Sequence, residues 1–243
     1  MHALIVVAKR ELQSYFGSPL AYVFVFIFSL LACGGALLPQ FELFGESFGG
    51  LLEQGECSLE VFFRNIPFLM AFFAPAIAMK LWADERKKGT IELLFTYPLS
   101  SVQIVLGKFV GAWCVLLFAL MMTLPLVFFV NSIGTLDYKL VLMGYFSSAL
   151  LAGAFTAIAC ASSALTSNNV ISLIIGVFFC SALVGFNLIP FETGFLDRFF
   201  QTAGVLEHYS ALVNGKVSFQ NMSYFFSMML GCFFLNLYFL ETK

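Results

Sequence analysis

The chain has 243 residues, of which 60% are hydrophobic and 11% charged, with a formal net charge of −2. Its mean hydropathy of +0.94 and its 32 phenylalanines lie far outside the range of a soluble domain. A near-neutral balance offers no basic face for nucleic acid, so the informative feature is where the few charges sit along the chain.

The first element expected is a helix over about 3–16. Leu4, Ala8, Leu12, Tyr15 and Phe16 fall on one face, with Lys9, Arg10, Glu11 and Gln13 elsewhere, as suits a helix lying in the membrane interface. The basic pair follows the first apolar residues, unlike the order in a secretory leader, so the segment is expected to be retained. Apolar runs of spanning length then recur at about 20–38, 61–81 and 109–130. The uncharged stretch 140–191 is too long for one helix; the polar tetrad Thr166-Ser167-Asn168-Asn169 divides it into spans at about 140–165 and 170–189. A sixth lies at about 222–240. Hydrocarbon cannot satisfy backbone polar groups, so each run reads as a helix. The expected fold is an all-α integral membrane protein, one domain of six transmembrane helices. Its four-residue repeat of Gly153, Ala157 and Ala161 suits close helix packing, within the chain before a dimer face.

Lys and Arg set the orientation. Lys9, Arg10, Lys80, Arg86, Lys87, Lys88, Lys108 and Lys243 fall on one side, whereas residues 40–60 carry five glutamates and no Lys or Arg. Both termini are therefore expected in the cytoplasm and the glutamate loop outside. Arg64, one turn inside the second span, is expected to snorkel outward, and His208 to be ordinary outer surface. The cysteines read as apolar packing residues.

The stretch "LWADERKKGTIELLFTYPLSS" is a charged island between two apolar spans. The second span can continue as helix to Lys88, with cations in its last turn and Gly89 supplying a left-handed end. Thr90 is an N-cap candidate, Glu92 suits a first turn, and Ile91, Leu94 and Phe95 share a face up to the stop at Pro98. Ser100-Ser101-Val102-Gln103 reads as a capping box launching the next helix. A short helix across the cytoplasmic end of two spans is expected, either as a capped connection or as a docking element within a loop at about 82–108.

"KLWADERKKGTIELLFTYPLSSVQIVLGKF" resembles the cytoplasmic loop of type-2 ABC transporter permeases, and "KRELQSYFGSPLAYVF" resembles the N-terminal segment of the same family. The likeness is nearest to the gliding-motility-associated branch and its neighbours, including permeases for nitrous-oxide reductase maturation. It implies an exporter subunit of the bacterial inner membrane, working beside a second permease copy or a homologous one. It also implies that ATP and Mg are bound by a separate ATP-binding subunit, with no cofactor in this chain. Glu85, Arg86, Gly89, Thr90, Glu92, Leu93 and Leu94 would form the docking site for that subunit. Asn168 and Asn169 would add a smaller contact, and Lys9, Arg10, Tyr15 and Phe16 would belong to the interfacial helix. Residues 190–221 would hold short helices dipping into the outer leaflet.

The sequence contains no GxxxxGK[ST] phosphate-binding loop, so it holds no P-loop ATPase site of its own. No carboxylate lies in the core of an expected span, which disfavours an ion-coupled carrier. A scaffold or channel whose loop binds some other partner remains the alternative.

Overall fold

The computed structural model describes residues 2–38, 41–43, 46–48, 59–90, 100–134, 136–187 and 202–241. Ten helices run through them: α1 (His2–Phe16), α2 (Pro19–Leu37), α3 (Glu60–Ala78), α4 (Lys80–Lys88), α5 (Ser101–Met121), α6 (Leu124–Ile133), α7 (Tyr138–Leu165), α8 (Asn169–Gly185), α9 (Val205–Val213) and α10 (Phe219–Glu241). The expectation of an all-α chain misses one detail. Phe41–Leu43 (β1) and Glu46–Phe48 (β2) pair antiparallel within the glutamate loop, Leu43 opposite Glu46.

Four helical stretches are long and apolar enough to cross a membrane: Glu60–Lys88, Ser101–Ile133, Tyr138–Leu165 and Phe219–Leu240. A fifth arises if Leu4–Phe16 and Ala21–Leu37, bent by 79° at Gly17-Ser18, count as one unit. Asn169–Gly185 is apolar but has only 17 residues, about 26 Å of helix against a hydrocarbon core of about 30 Å. The chain is thus a multi-pass helical membrane protein.

Helix fills both ends of the expected 82–108 loop, as the Gly89 end and the Ser100 cap predict: α4 runs to Lys88 and α5 starts at Ser101, ahead of the apolar span expected from 109. The capping box causes the early start: Ser100 Oγ accepts from Gln103 N, and the Gln103 side chain accepts from Ser100 N, both at 3.4 Å. Lys108 therefore sits two turns inside a helix. The third span is broken at Met122-Thr123, ahead of α6 and Pro125.

α7 is the central post, touching α3, α4, α5, α8, α9 and α10. Its small residues allow this. A methyl at Gly153 would stand 2.5 Å from Met229 Cε of α10, while Ala157 and Ala161 are buried. The stripe is thus consumed by packing inside the chain. Hydroxyls of Ser147, Ser148 and Thr156 bond the carbonyl one turn back, which keeps them satisfied in an apolar core.

At the opposite end from the island, α9 is pinned by Tyr209, whose hydroxyl donates to Phe63 O at 3.0 Å and meets Ser148 Oγ at 2.9 Å. His208 is not the surface residue expected. It is buried, bonded at both ring nitrogens to Asn221 Oδ1 and Thr202 O, and stacked on Tyr224. Arg64 is half-buried and pairs with Glu60 one turn back at 3.3 Å.

Candidate functional site at the charged island

α4 ends as a Schellman motif. Gly89 adopts φ 68°, ψ 13°, its N–H donates to Arg86 O at 3.2 Å, and Thr90 N–H donates to Glu85 O at 3.0 Å. The left-handed conformation costs a side-chain-bearing residue roughly 1–2 kcal/mol, so the glycine is needed here. Thr90 and its hydroxyl both turn back onto α4. The expected short helix, with Glu92, Leu93 and Leu94, falls at 91–99, outside the described residues.

The hinge between α3 and α4 is met by a hydroxyl from α7. Ser163 of α7 donates to Met79 O at 3.0 Å and accepts from Trp82 N at 3.1 Å and Ala83 N at 3.2 Å. One hydroxyl stands inside the helical ladder and satisfies the backbone groups at the α3–α4 break. α4 is thereby seated on α7 as well as on its own span.

Lys108 is the residue that sequence reasoning treated as a loop-edge cation. Only 2% of its side chain is exposed. Its ammonium donates to Glu11 Oε1 of α1 at 3.1 Å, Leu81 O at 2.8 Å and Glu85 Oε1 of α4 at 2.8 Å. These use its three protons. The Nζ also lies 4.9 Å from the centre of the Trp82 ring, within cation–π reach. One buried cation thus ties α1, α4 and α5 together. The approach is possible because α5 presents glycines to α1: a methyl on Gly107 would stand 2.7 Å from Val7 Cβ, and one on Gly111 2.8 Å from Glu11 Cβ. The available signal was a Gly-Lys pair inside a helix launched by the Ser100 cap.

The remaining sequence-predicted residues divide. Glu85 faces inward to Lys108. Arg86 also turns inward, donating from Nη2 to Phe239 O of α10 at 3.1 Å. Gly89, Thr90 and Asn168 are exposed. Asn168 caps α8 by accepting from Val170 N at 3.0 Å. The Asn169 amide donates to Asp84 Oδ1. This bond brings the 166–169 turn beside α4, so the two expected contact points share one end of the bundle. On α1, Lys9 and Arg10 are exposed, while Tyr15 donates to Ile77 O at 2.9 Å and Phe16 packs edge-on against Tyr22 and Phe118. That helix packs chiefly on α5, so its inner face meets protein, while Ile5 and Val6 remain exposed.

Between α1, α2, α3, α4 and α5 lies a cavity of about 500 Å³. Arg10, Glu11, Lys80, Asp84, Glu85, Lys88 and Lys108 supply its charge, and Ala21, Phe24, Ile77 and Val115 its apolar wall. Near it, Trp82 Nε1, Glu85 Oε2, Arg86 Nε and Asn169 Oδ1 are buried without a protein hydrogen-bond partner among the described residues.

Residues 5–230 match the family model described as ABC-2 family transporter protein. Over 119 residues the chain is 34% identical to the probable ABC transporter permease protein NosY of Stutzerimonas stutzeri, covering 47% of this chain and 40% of that one. The protein of the same name from Pseudomonas aeruginosa is 32% identical over 117 residues, covering 46% and 40%. Each alignment spans less than half of either protein, and neither relative is named for gliding motility. The family match covers nearly all of this chain, including every described residue of the island, the Lys108 cage and the 166–169 turn: the chain belongs to the ABC-2 family of transporter proteins.

Proposed function

We propose that this chain is the membrane-spanning permease subunit of an ABC exporter, driven by a separate ATP-binding subunit that docks on the segment following α4. In this reading it crosses the inner membrane six times with both termini in the cytoplasm, pairs with a second permease, and leaves ATP and Mg to its partner. The observation that carries the reading is mechanical. Both flanks of 91–99 are capped, one ended by a Schellman motif and the other started by a capping box, and α4 is tied to α1 and α5 through Lys108. A push delivered there is transmitted to three helices at once, whereas a plain connecting loop has no use for such bracing. The neighbouring Thr166–Asn169 turn supplies a second contact on the same end.

Glu85 and Arg86 would then support the docking segment from behind, since both are engaged inside the chain. Gly89, Thr90, Glu92, Leu93, Leu94, Asn168 and Asn169 would meet the partner. Co-purification with an ATP-binding cassette protein from the same cells, comparing the native chain with Glu92→Lys/Leu93→Asp, tests this. Capture by the native chain and its loss in the variant is the expected result. Equal capture, or none by either, would leave the scaffold or channel alternative.

A further inference from the structure

The cavity enclosed by α1 and the cytoplasmic end of the bundle carries charges of both signs that the chain does not use up. Arg10, Lys80 and Lys88 line it, are exposed, and make no ion pair among the described residues. Facing them, Glu11 and Glu85 each give one oxygen to Lys108, and Asp84 gives one to Asn169. An ionised carboxylate can accept at both oxygens, so Glu11 and Asp84 each keep a spare one, whereas the second oxygen of Glu85 is shut off from the cavity. The apolar part of the lining comes from α2, α3 and α5, and α3 and α5 belong to stretches long and apolar enough to cross a membrane. At about 500 Å³, the space is within the range of small-ligand sites, roughly 300–1,000 Å³.

We infer that this cavity binds a zwitterionic phospholipid whose headgroup ends in a primary ammonium. Arg10, Lys80 and Lys88 hold its phosphate, and the spare oxygens of Glu11 and Asp84 accept from its ammonium. The apolar wall takes the first carbons of its chains. Three features favour this ligand over its neighbours. A purely anionic headgroup satisfies the cations and leaves the carboxylates facing more negative charge. A quaternary ammonium has no N–H to donate to a carboxylate oxygen. A soluble headgroup leaves the Ala21–Phe24–Val115 wall in contact with water. The inference rests on the membrane setting and not on the docking of an ATP-binding subunit.

The test is native mass spectrometry of the full chain in detergent, titrated with dioleoyl phosphatidylethanolamine, phosphatidylglycerol or phosphatidylcholine. The native chain is expected to retain phosphatidylethanolamine about tenfold better than phosphatidylcholine, with phosphatidylglycerol between them. Arg10→Gln/Lys80→Gln/Lys88→Gln, three changes at exposed positions, should reduce phosphatidylethanolamine retention to the phosphatidylcholine level. Asp84→Asn, which keeps an acceptor for Asn169, should lower the preference for the primary ammonium several-fold while sparing phosphatidylglycerol. Equal retention of the three lipids, a preference for phosphatidylglycerol, or an unchanged profile in the triple variant would each overturn the inference. So would displacement by glycerophosphoethanolamine at the same concentration as the intact lipid.

Discussion

Replacing Lys108 by Met removes a buried cation while preserving most of its volume, and so isolates its charge. At an effective dielectric of about 20, an ion pair near 3 Å contributes about 5 kcal/mol of gross attraction, and Lys108 makes two, at 3.1 and 2.8 Å. Desolvating the three ions offsets most of that, several kcal/mol for each. The intact cage therefore adds little net stability; the cost of breaking it is another matter. Without Lys108, two carboxylates only 16% and 18% exposed face one another without a counter-ion, and losing one partner of a buried pair costs about 3–5 kcal/mol. Partial hydration of the glutamates puts this case near the lower figure, about 3 kcal/mol. For a chain of this length, about 2–4 °C per kcal/mol gives a fall in Tm of about 6–12 °C, read by intrinsic fluorescence in detergent. Lys108→Met/Glu11→Gln/Glu85→Gln removes all three charges and should recover most of the loss. A drop below about 2 °C in the single variant, or no recovery in the triple, would refute the reading of Lys108 as an internal tie.

Two further outcomes follow from the same end of the molecule. Ser163→Ala strands Met79 O and the N–H groups of Trp82 and Ala83 unless the α3–α4 hinge straightens. A loss of about 1–3 kcal/mol in thermal unfolding is expected, and an unchanged Tm would mean that the ladder closes without the hydroxyl. Gly107→Val drives a branched side chain into Val7, whose Cβ already stands 2.7 Å from where a methyl would sit. Hydrogen exchange across α1 should quicken while that of α7 stays unchanged, and unaltered α1 exchange would contradict the close packing of α1 on α5.

The sequence itself determined the membrane character and the two ends that flank the island, the glycine closing α4 and the serine opening α5. These rest on local physics: apolar length against bilayer thickness, a glycine where the backbone turns left-handed, and a serine with a glutamine three residues on. Gly89, Ser100 and Asn168 act within a few residues of themselves, which is why they were legible. The 79° bend after α1 was foreshadowed by Gly17-Ser18-Pro19, and the small-residue stripe of α7 by its four-residue repeat.

What only the tertiary structure decided are the partners of charged and polar side chains. Glu11 and Lys108 lie 97 residues apart, Trp82 and Ser163 81, and Arg86 and Phe239 153. A Gly-Lys pair in a capped helix hints that Lys108 is covered, but nothing local names the two carboxylates and the indole ring that surround it. The same holds for Glu85 and Arg86, which look like surface charge in the island yet are engaged inside the bundle. A side chain's charge is a property of the residue, whereas its burial depends on which helices pack over it. Here that depended on two glycines of α5 letting α1 come close enough to bury Lys108.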